Sequence, residues 1–285
     1  MDGSADALRD IADPGERARR ASALIDELAS ESGVASAVRL EALAEMQSAG
    51  MNQSEIARAA GMSRARISQV MRTAPPPGAP LLAPDAGPVI ISMIEKRDAD
   101  TGRATITRTT MKARDKLTDL AASFDLRAGY EEIPVPGMVN LNRPNLAVLI
   151  GPRSSVLVAQ AISADPVIRW QPDDFGDWYF TDAKTGTEYR SEFGKDWRGD
   201  REPQTCYAHI GRVRRPDGQG SWLCLAGQHA PGVAGAADLF CRDIASLWET
   251  AHRSLWSAVV KVTADESCVP VESVLVSPVY VHGRR

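Results

Sequence analysis

Apolar positions recur at helical spacing through the first quarter of the chain. Ala21, Leu24, Ile25 and Leu28 form one stripe, and Pro14 and Glu16 suit an opening turn, which predicts a helix over 14–31. Leu40, Leu43 and Ala44 form another, predicting a helix from about 35 to 49 that stops at Gly50. Residues 53–72, QSEIARAAGMSRARISQVMR, then read as two short helices hinged at Gly61. Ile56, Ile67 and Val70 supply the apolar contacts between them. Ala57 stands where only a small side chain lets the helices approach, and Gly61 where a left-handed backbone costs little. Ser63 is placed to cap the second helix.

The period is lost over APPPGAPLLAPDAGP, residues 74–88, where five prolines and two glycines fall between Pro75 and Gly87. This composition predicts a semi-rigid extended spacer and a domain boundary. Beyond it, strands and helices alternate. VIISMIEK (89–96) and RATITRT (103–109) read as strands joined by a turn over 98–102, with a helix from 112 to 124. NLAVLIG (145–151) is a run suited to a buried parallel strand, followed by a helix over 154–162. DWYFTDAKTGTEYRS (177–191) has the alternation and turn of a hairpin, and CYAHIGRVRR and SWLCLAG flank a second turn at Pro216-Asp217-Gly218. Leu239, Phe240, Ile244, Leu247, Trp248, Ala251 and Leu255 predict a long amphipathic helix, and SVLVSPVYV a last strand. The expected class is α/β: a helical head over 1–74, a linker over 75–88, and a Rossmann-like domain with antiparallel additions over 89–285.

The segment 53–72 resembles the DNA-binding helix-turn-helix of phage repressors and of the promoter-reading region of sigma factors. The resemblance implies that the second helix enters the major groove of double-stranded DNA. Its groove-facing positions would be Ser63, Arg64, Ala65, Ser68 and Gln69, with Arg66 and Arg72 beside them, while Gln53 and Ser54 meet a phosphate. Arginine reads guanine and glutamine reads adenine through paired hydrogen bonds. Charge agrees: between 53 and 73, four arginines face one acid, Glu55, inside a chain of net charge −4. A hairpin used only for packing has no need of such a cluster.

Composition narrows the remaining choices. At 44% hydrophobic and 25% charged, 285 residues can bury a full core. A pI near 5.7 does not suit indiscriminate coating of nucleic acid. No run of eighteen apolar residues exists and the acidic N-terminus lacks a secretory pattern, so the expected location is cytoplasmic, in a bacterium by the arginine- and alanine-rich composition. Cys206, Cys224, Cys241 and Cys268 are too scattered for a zinc site and read as reduced thiols. No metal-ligand spacing and no nucleophile beside a base is visible, so no catalytic residue is assigned and the chain is read as a non-enzyme.

Two strand-loop-helix junctions are the candidate ligand sites. One is Gly151-Pro152-Arg153-Ser154-Ser155; the other runs from Gly227 through His229 to Gly232 and Gly235. Both aim loop amides and a helix dipole at the carboxyl ends of strands, where α/β sheets bind anions. Arg153, Ser154, Ser155 and His229 would add side-chain contacts, and Gly151, Gly227, Gly232 and Gly235 close backbone approach. Neither is a G-x-G-x-x-G or phosphate-loop motif, so the cofactor stays unassigned. Asp173, Asp174 and Asp177, set among Trp170, Phe175, Trp178 and Tyr179, read as an acidic turn over an aromatic core. The combined expectation is a homodimeric transcription regulator whose second domain senses a small anion such as a nucleotide. Two alternatives stand beside it: an enzyme acting on a nucleotide or sugar with an appended DNA-binding head, and a ligand-free dimerisation scaffold.

Overall fold

The computed structural model describes residues 5–72, 78–85, 87–97, 102–193, 204–252 and 254–283. The chain divides into two compact units, Met1–Pro75 and Pro76–Arg285. In the first, a short 3-10 turn precedes α1 (Pro14–Ser48), α2 (Gln53–Ala59) and α3 (Arg64–Arg72). The two helices expected over 14–31 and 35–49 are therefore one. No proline interrupts them, and the single Gly33 costs only about 1 kcal/mol in a run of strong helix formers. Asp13 starts α1 by accepting from the Gly15 and Glu16 amides.

Leu43, Ile56, Ala57, Ile67 and Val70 bury together as the core of this unit. The four larger side chains each contribute about 2 kcal/mol of burial. The side chains of Leu40, Ala44 and Arg72 lie outside the described residues.

The second unit begins earlier than its proline content implies. Ala79–Leu82 forms a helical turn, α4, with Leu81 and Leu82 buried, so a spacer over 75–88 is corrected: residues 79–82 belong to the core, while 73–77 lie outside the described residues. Two leucines in a row outweigh the proline signal once a sheet is present to cover them. Asn145, itself buried, donates to the Asp85 and Gly87 carbonyls and accepts from the Asp85 amide, tying this segment to the sheet.

The chain then runs through β1 (Val89–Ile94), β2 (Lys96–Arg97), β3 (Ala104–Thr105), α5 (Arg108–Ser123), β4 (Ala128–Ile133), β5 (Leu146–Leu149) and α6 (Val156–Ser163). It continues with β6 (Ile168–Pro172), β7 (Trp178–Asp182), β8 (Glu188–Tyr189), β9 (Gln204–Arg214) and β10 (Ser221–Gly227). It closes with α7 (Ala230–Ala251), β11 (Leu255–Ala264), β12 (Pro270–Leu275) and β13 (Tyr280–Gly283).

Three expectations are corrected here. The strand over 103–109 is two residues long, because the Thr107 hydroxyl caps the Thr110 amide and starts α5 early. Leu255 opens β11 instead of ending the long helix, which reaches only Ala251. The last strand is two, separated around Pro278.

The main sheet is mixed, in the order β12-β11-β9-β10-β5-β1-β4, with β13 also on β11. Pairs β1–β4, β1–β5 and β5–β10 are parallel; the pairs made by β9 and β11 are antiparallel. Strand alternation builds two cores. Ile91, Met93, Leu149 and Leu223 face one side with α4, α5 and α7, while Val148, Trp222 and Cys224 face the other with α6 and the small sheet β6-β7-β8. This is an α/β arrangement with helices on both faces. Among the described residues no helix is long and apolar enough to cross a membrane. Cys206 and Cys224 are buried free thiols, Cys241 and Cys268 half-buried ones.

Candidate functional site

In the helical unit, α2 is capped by Asn52, whose side chain accepts from the Ser54 and Glu55 amides while Glu55 returns a bond to the Asn52 amide. This reciprocal N-x-x-E box is legible in the sequence but was missed in favour of Gln53 and Ser54. Gly61 takes φ +65° at the turn, and Ser63 Oγ accepts from the Arg66 amide at 3.1 Å to start α3. With Ile67 and Val70 turned inward, Ser63, Arg64, Ala65, Arg66 and Gln69 are exposed and Ser68 is half-buried. Arg66 Nη1 donates to Gln69 Oε1 at 2.8 Å, holding these two together on the outer face. Gln53 is exposed and Ser54 half-buried at the opening of α2.

In the second unit, the loops after β5 and β10 lie side by side because those strands pair. A Cβ on Gly151 would run into the Gly227 carbonyl oxygen. A crevice of about 160 Å³ opens there, lined among others by Lys96, Thr110, Arg153, Ser154 and His229. A larger cavity of about 830 Å³ shares Ile94, Lys96, Arg153 and Ser154 with it and extends to Trp170 and Trp178. A third, of about 350 Å³, lies on the far side of Arg153 beside Tyr179 and Arg190. Arg153 lines all three. Its Nη2 donates to the Trp178 carbonyl at 3.2 Å, and its guanidinium carbon lies 5.8 Å from the Trp170 ring centre.

His229 precedes α7 and stacks on Phe193 with ring centres 5.2 Å apart. Its Nε2 is buried and has no hydrogen-bond partner among the described residues. Burial first, then the positive charges of Arg153 and Lys96, push its pKa down to about 4, so the ring is neutral at pH 7. Gln228 anchors the same loop: its side chain accepts from the Tyr207 amide and donates to the Tyr189 carbonyl.

The other predicted positions divide. Ser154 lines the crevice, but Ser155 is buried, its hydroxyl donating to the Gly137 carbonyl at 2.6 Å and capping α6. Gly232 and Gly235 are corrected from ligand contacts to packing positions. Both sit inside α7, and a Cβ on Gly235 would lie 2.5 Å and 2.6 Å from the Val262 methyls. Asp173 is absorbed by its turn, accepting from the Phe175 and Asp177 amides and from Arg190. Lys96 was not singled out, although it follows β1 as Arg153 follows β5, and the same strand-end argument finds it. His209 joins a separate buried cluster, with Nε2 3.4 Å from Asp165 Oδ2 and His282 Nε2 3.6 Å from the same oxygen. Among the described residues no three His, Cys, Asp or Glu side chains converge as metal ligands.

No family model matches the chain, and no curated protein or solved structure matches it.

Proposed function

We propose that this chain is a sequence-specific DNA-binding transcription regulator, acting in the bacterial cytoplasm, whose second unit responds to a small anion. The observation that carries the first half is the outer face of α3: Arg64, Arg66 and Gln69 exposed on a helix whose inner face is locked by Ile67 and Val70. A helix of this kind presents guanidinium and amide groups to base edges. In vitro selection of genomic fragments with the full chain tests it, followed by binding at a fixed 0.15 M salt. Arg64→Ala weakens a selected site by about 1–3 kcal/mol and random DNA by less. If no fragment is enriched over random DNA, the reading fails.

The second half rests on topology. From β1 the chain crosses over α5 to β4 on one side, then returns to β5 on the other and leaves over α6 on the opposite face. The order reverses between β1 and β5, and ligands of open α/β sheets bind outside the carboxyl ends at such a point. Lys96 and Arg153 follow those two ends. The unit is thus a Rossmann-like sensor with antiparallel additions, and anion binding at the crevice alters DNA affinity.

Self-association completes the reading, since one small head contacts few phosphates and paired half-sites supply specific affinity. The outermost strands leave Val271, Val274 and Val281 exposed at 61%, 38% and 46%, an apolar edge suited to a second copy.

A further inference from the structure

The crevice and the larger cavity differ in chemistry. No acid lines the crevice among the described residues, whereas Lys96 and Arg153 do, and neither forms an ion pair among those residues. The larger cavity is walled by apolar groups. Val135, Val156 and Trp178, exposed at 54%, 62% and 40%, converge on it, with Trp170 buried behind Trp178 at 23° between ring planes. Exposed apolar side chains gathered in a concave wall are unfavourable uncovered. The volume of about 830 Å³ falls in the usual range for small-molecule sites. Glu95 lines this cavity and not the crevice, where a carboxylate suits hydroxyl donors and not an anion.

We propose that the two cavities form one site for a nucleoside phosphate. The flat base lies on Trp178, the sugar hydroxyls face Glu95, and the phosphate enters the crevice against Lys96, Arg153 and the His229 ring. The proposal rests on reading the second unit as an anion sensor and deepens it. An inorganic anion would leave the tryptophan wall bare, and a flexible acyl chain would bury apolar area there but present no flat face to stack on the ring. A base offers a π-face of matching shape, and stacking of this kind is tolerant of base identity. The His229 Nε2, which has no partner among the described residues, gains a phosphate oxygen.

The test uses the full chain and a panel of adenosine and guanosine mono- and diphosphates, the two nucleosides, inorganic phosphate and benzoate, titrated by tryptophan fluorescence and calorimetry. At least one nucleotide is expected to bind tenfold or more tightly than its nucleoside and than phosphate alone. Trp178→Ala and Arg153→Ala are each expected to lose about tenfold or more of that affinity, with Trp178→Phe restoring most of the first loss.

An NMR titration supplies a readout that mere packing would not move. The phosphate offsets the charges of Lys96 and Arg153, so the His229 titration rises from about 4 on nucleotide binding. Nucleotides binding no better than phosphate, or equally well to Trp178→Ala, overturn the nucleotide assignment while an Arg153-dependent response to benzoate or phosphate keeps the anion sensor. No response to any anion in the panel removes both.

Discussion

Replacing Gly227 with alanine tests the backbone packing that seats the start of α7 against the end of β10. Gly227 ends β10, buried, and a Cβ there would lie 2.5 Å and 2.7 Å from the carbonyl carbon and Cα of Gly232, with the Val233 nitrogen nearer still. Ordinary carbon contacts sit at about 3.5–4.0 Å, so the neighbour must retreat by about 1 Å. That neighbour is backbone in the first turn of α7, and it cannot swing aside like a side chain. The turn is pinned through Val233, Ala236, Ala237 and Phe240, all buried against the sheet. Overpacking costs about 1–3 kcal/mol, and a rigid backbone neighbour places this case near 3 kcal/mol. For a unit of roughly 200 residues this lowers the midpoint by about 6–12 °C.

All six tryptophans lie beyond residue 165, so urea unfolding followed by their emission reports the second unit alone. Gly129→Ala is the control, since a Cβ there meets only the Ile90 Cδ1 at 4.0 Å. It should fall within about 0.5 kcal/mol of the parent. If Gly227→Ala does the same, or if both variants fall equally, backbone contact does not hold α7 against β10 and the reasoning is wrong.

Asp165→Asn should cost about 3 kcal/mol at pH 7, because the carboxylate, though buried, accepts from the Val167 and Ile168 amides and faces His209 and His282. Burial raises its pKa, but the hydrogen bonds from His209 and His282 outweigh this and hold it well below the carboxylate range. The stabilisation is therefore present above about pH 4 and lost as pH falls further, so the gap between variant and parent in urea should shrink at pH 3. His229 gives the opposite chemistry. Its folded pKa of about 4 lies below the ordinary 6.5, so only the unfolded chain takes a proton between those values, and about 2 kcal/mol of stability disappears as pH falls from 6.5 to 4. His229→Gln should flatten that slope, and an unchanged slope would refute the assignment. Sedimentation at micromolar concentration should show a dimer that Val274→Glu together with Val281→Glu converts to monomer; a monomeric parent chain refutes the edge-strand interface.

The sequence is legible where a few neighbouring residues decide the outcome. The turn at Gly61, the cap at Ser63 and the inward set Ile56, Ile67 and Val70 depend only on contacts within about twenty residues. The sequence is not legible where distant partners decide. Leu81 and Leu82 sit among prolines, yet the core supplies enough apolar contact to fold that turn, and Arg212, itself buried, donates to the Leu81 carbonyl at 3.0 Å. Leu255 keeps the helical period of α7, but the chain turns at His252, which has φ +46° and carries no glycine or proline to mark the break. Pairing with β9 then makes the following residues a strand. The helix Pro14–Ser48 runs unbroken through Gly33, because the propensity of its neighbours outweighs a single glycine.

The same distinction explains which loop residues entered the candidate site. Gly151 and Gly227 line the crevice, but the spacing of the glycines says only that something passes close by. Here the close neighbour is the protein itself: Gly151 lies against Gly227, and Gly227 against Gly232. These three positions fasten the end of β5, the end of β10 and the start of α7 together. Because β5 pairs with both β1 and β10, fastening them places Arg153 within the reach of Lys96 on one side and of His229 on the other. The charges reach the crevice through strand order, which no short stretch of sequence encodes. Trp178 reaches the adjoining larger cavity through the separate sheet β6-β7-β8, and Arg153, which lines both spaces, donates to its carbonyl. Loss of the glycines should therefore act on stability, and loss of Arg153 on ligand response. A variant at Gly232 that kept full stability yet lost the ligand response would reverse this division and restore the glycines as ligand contacts.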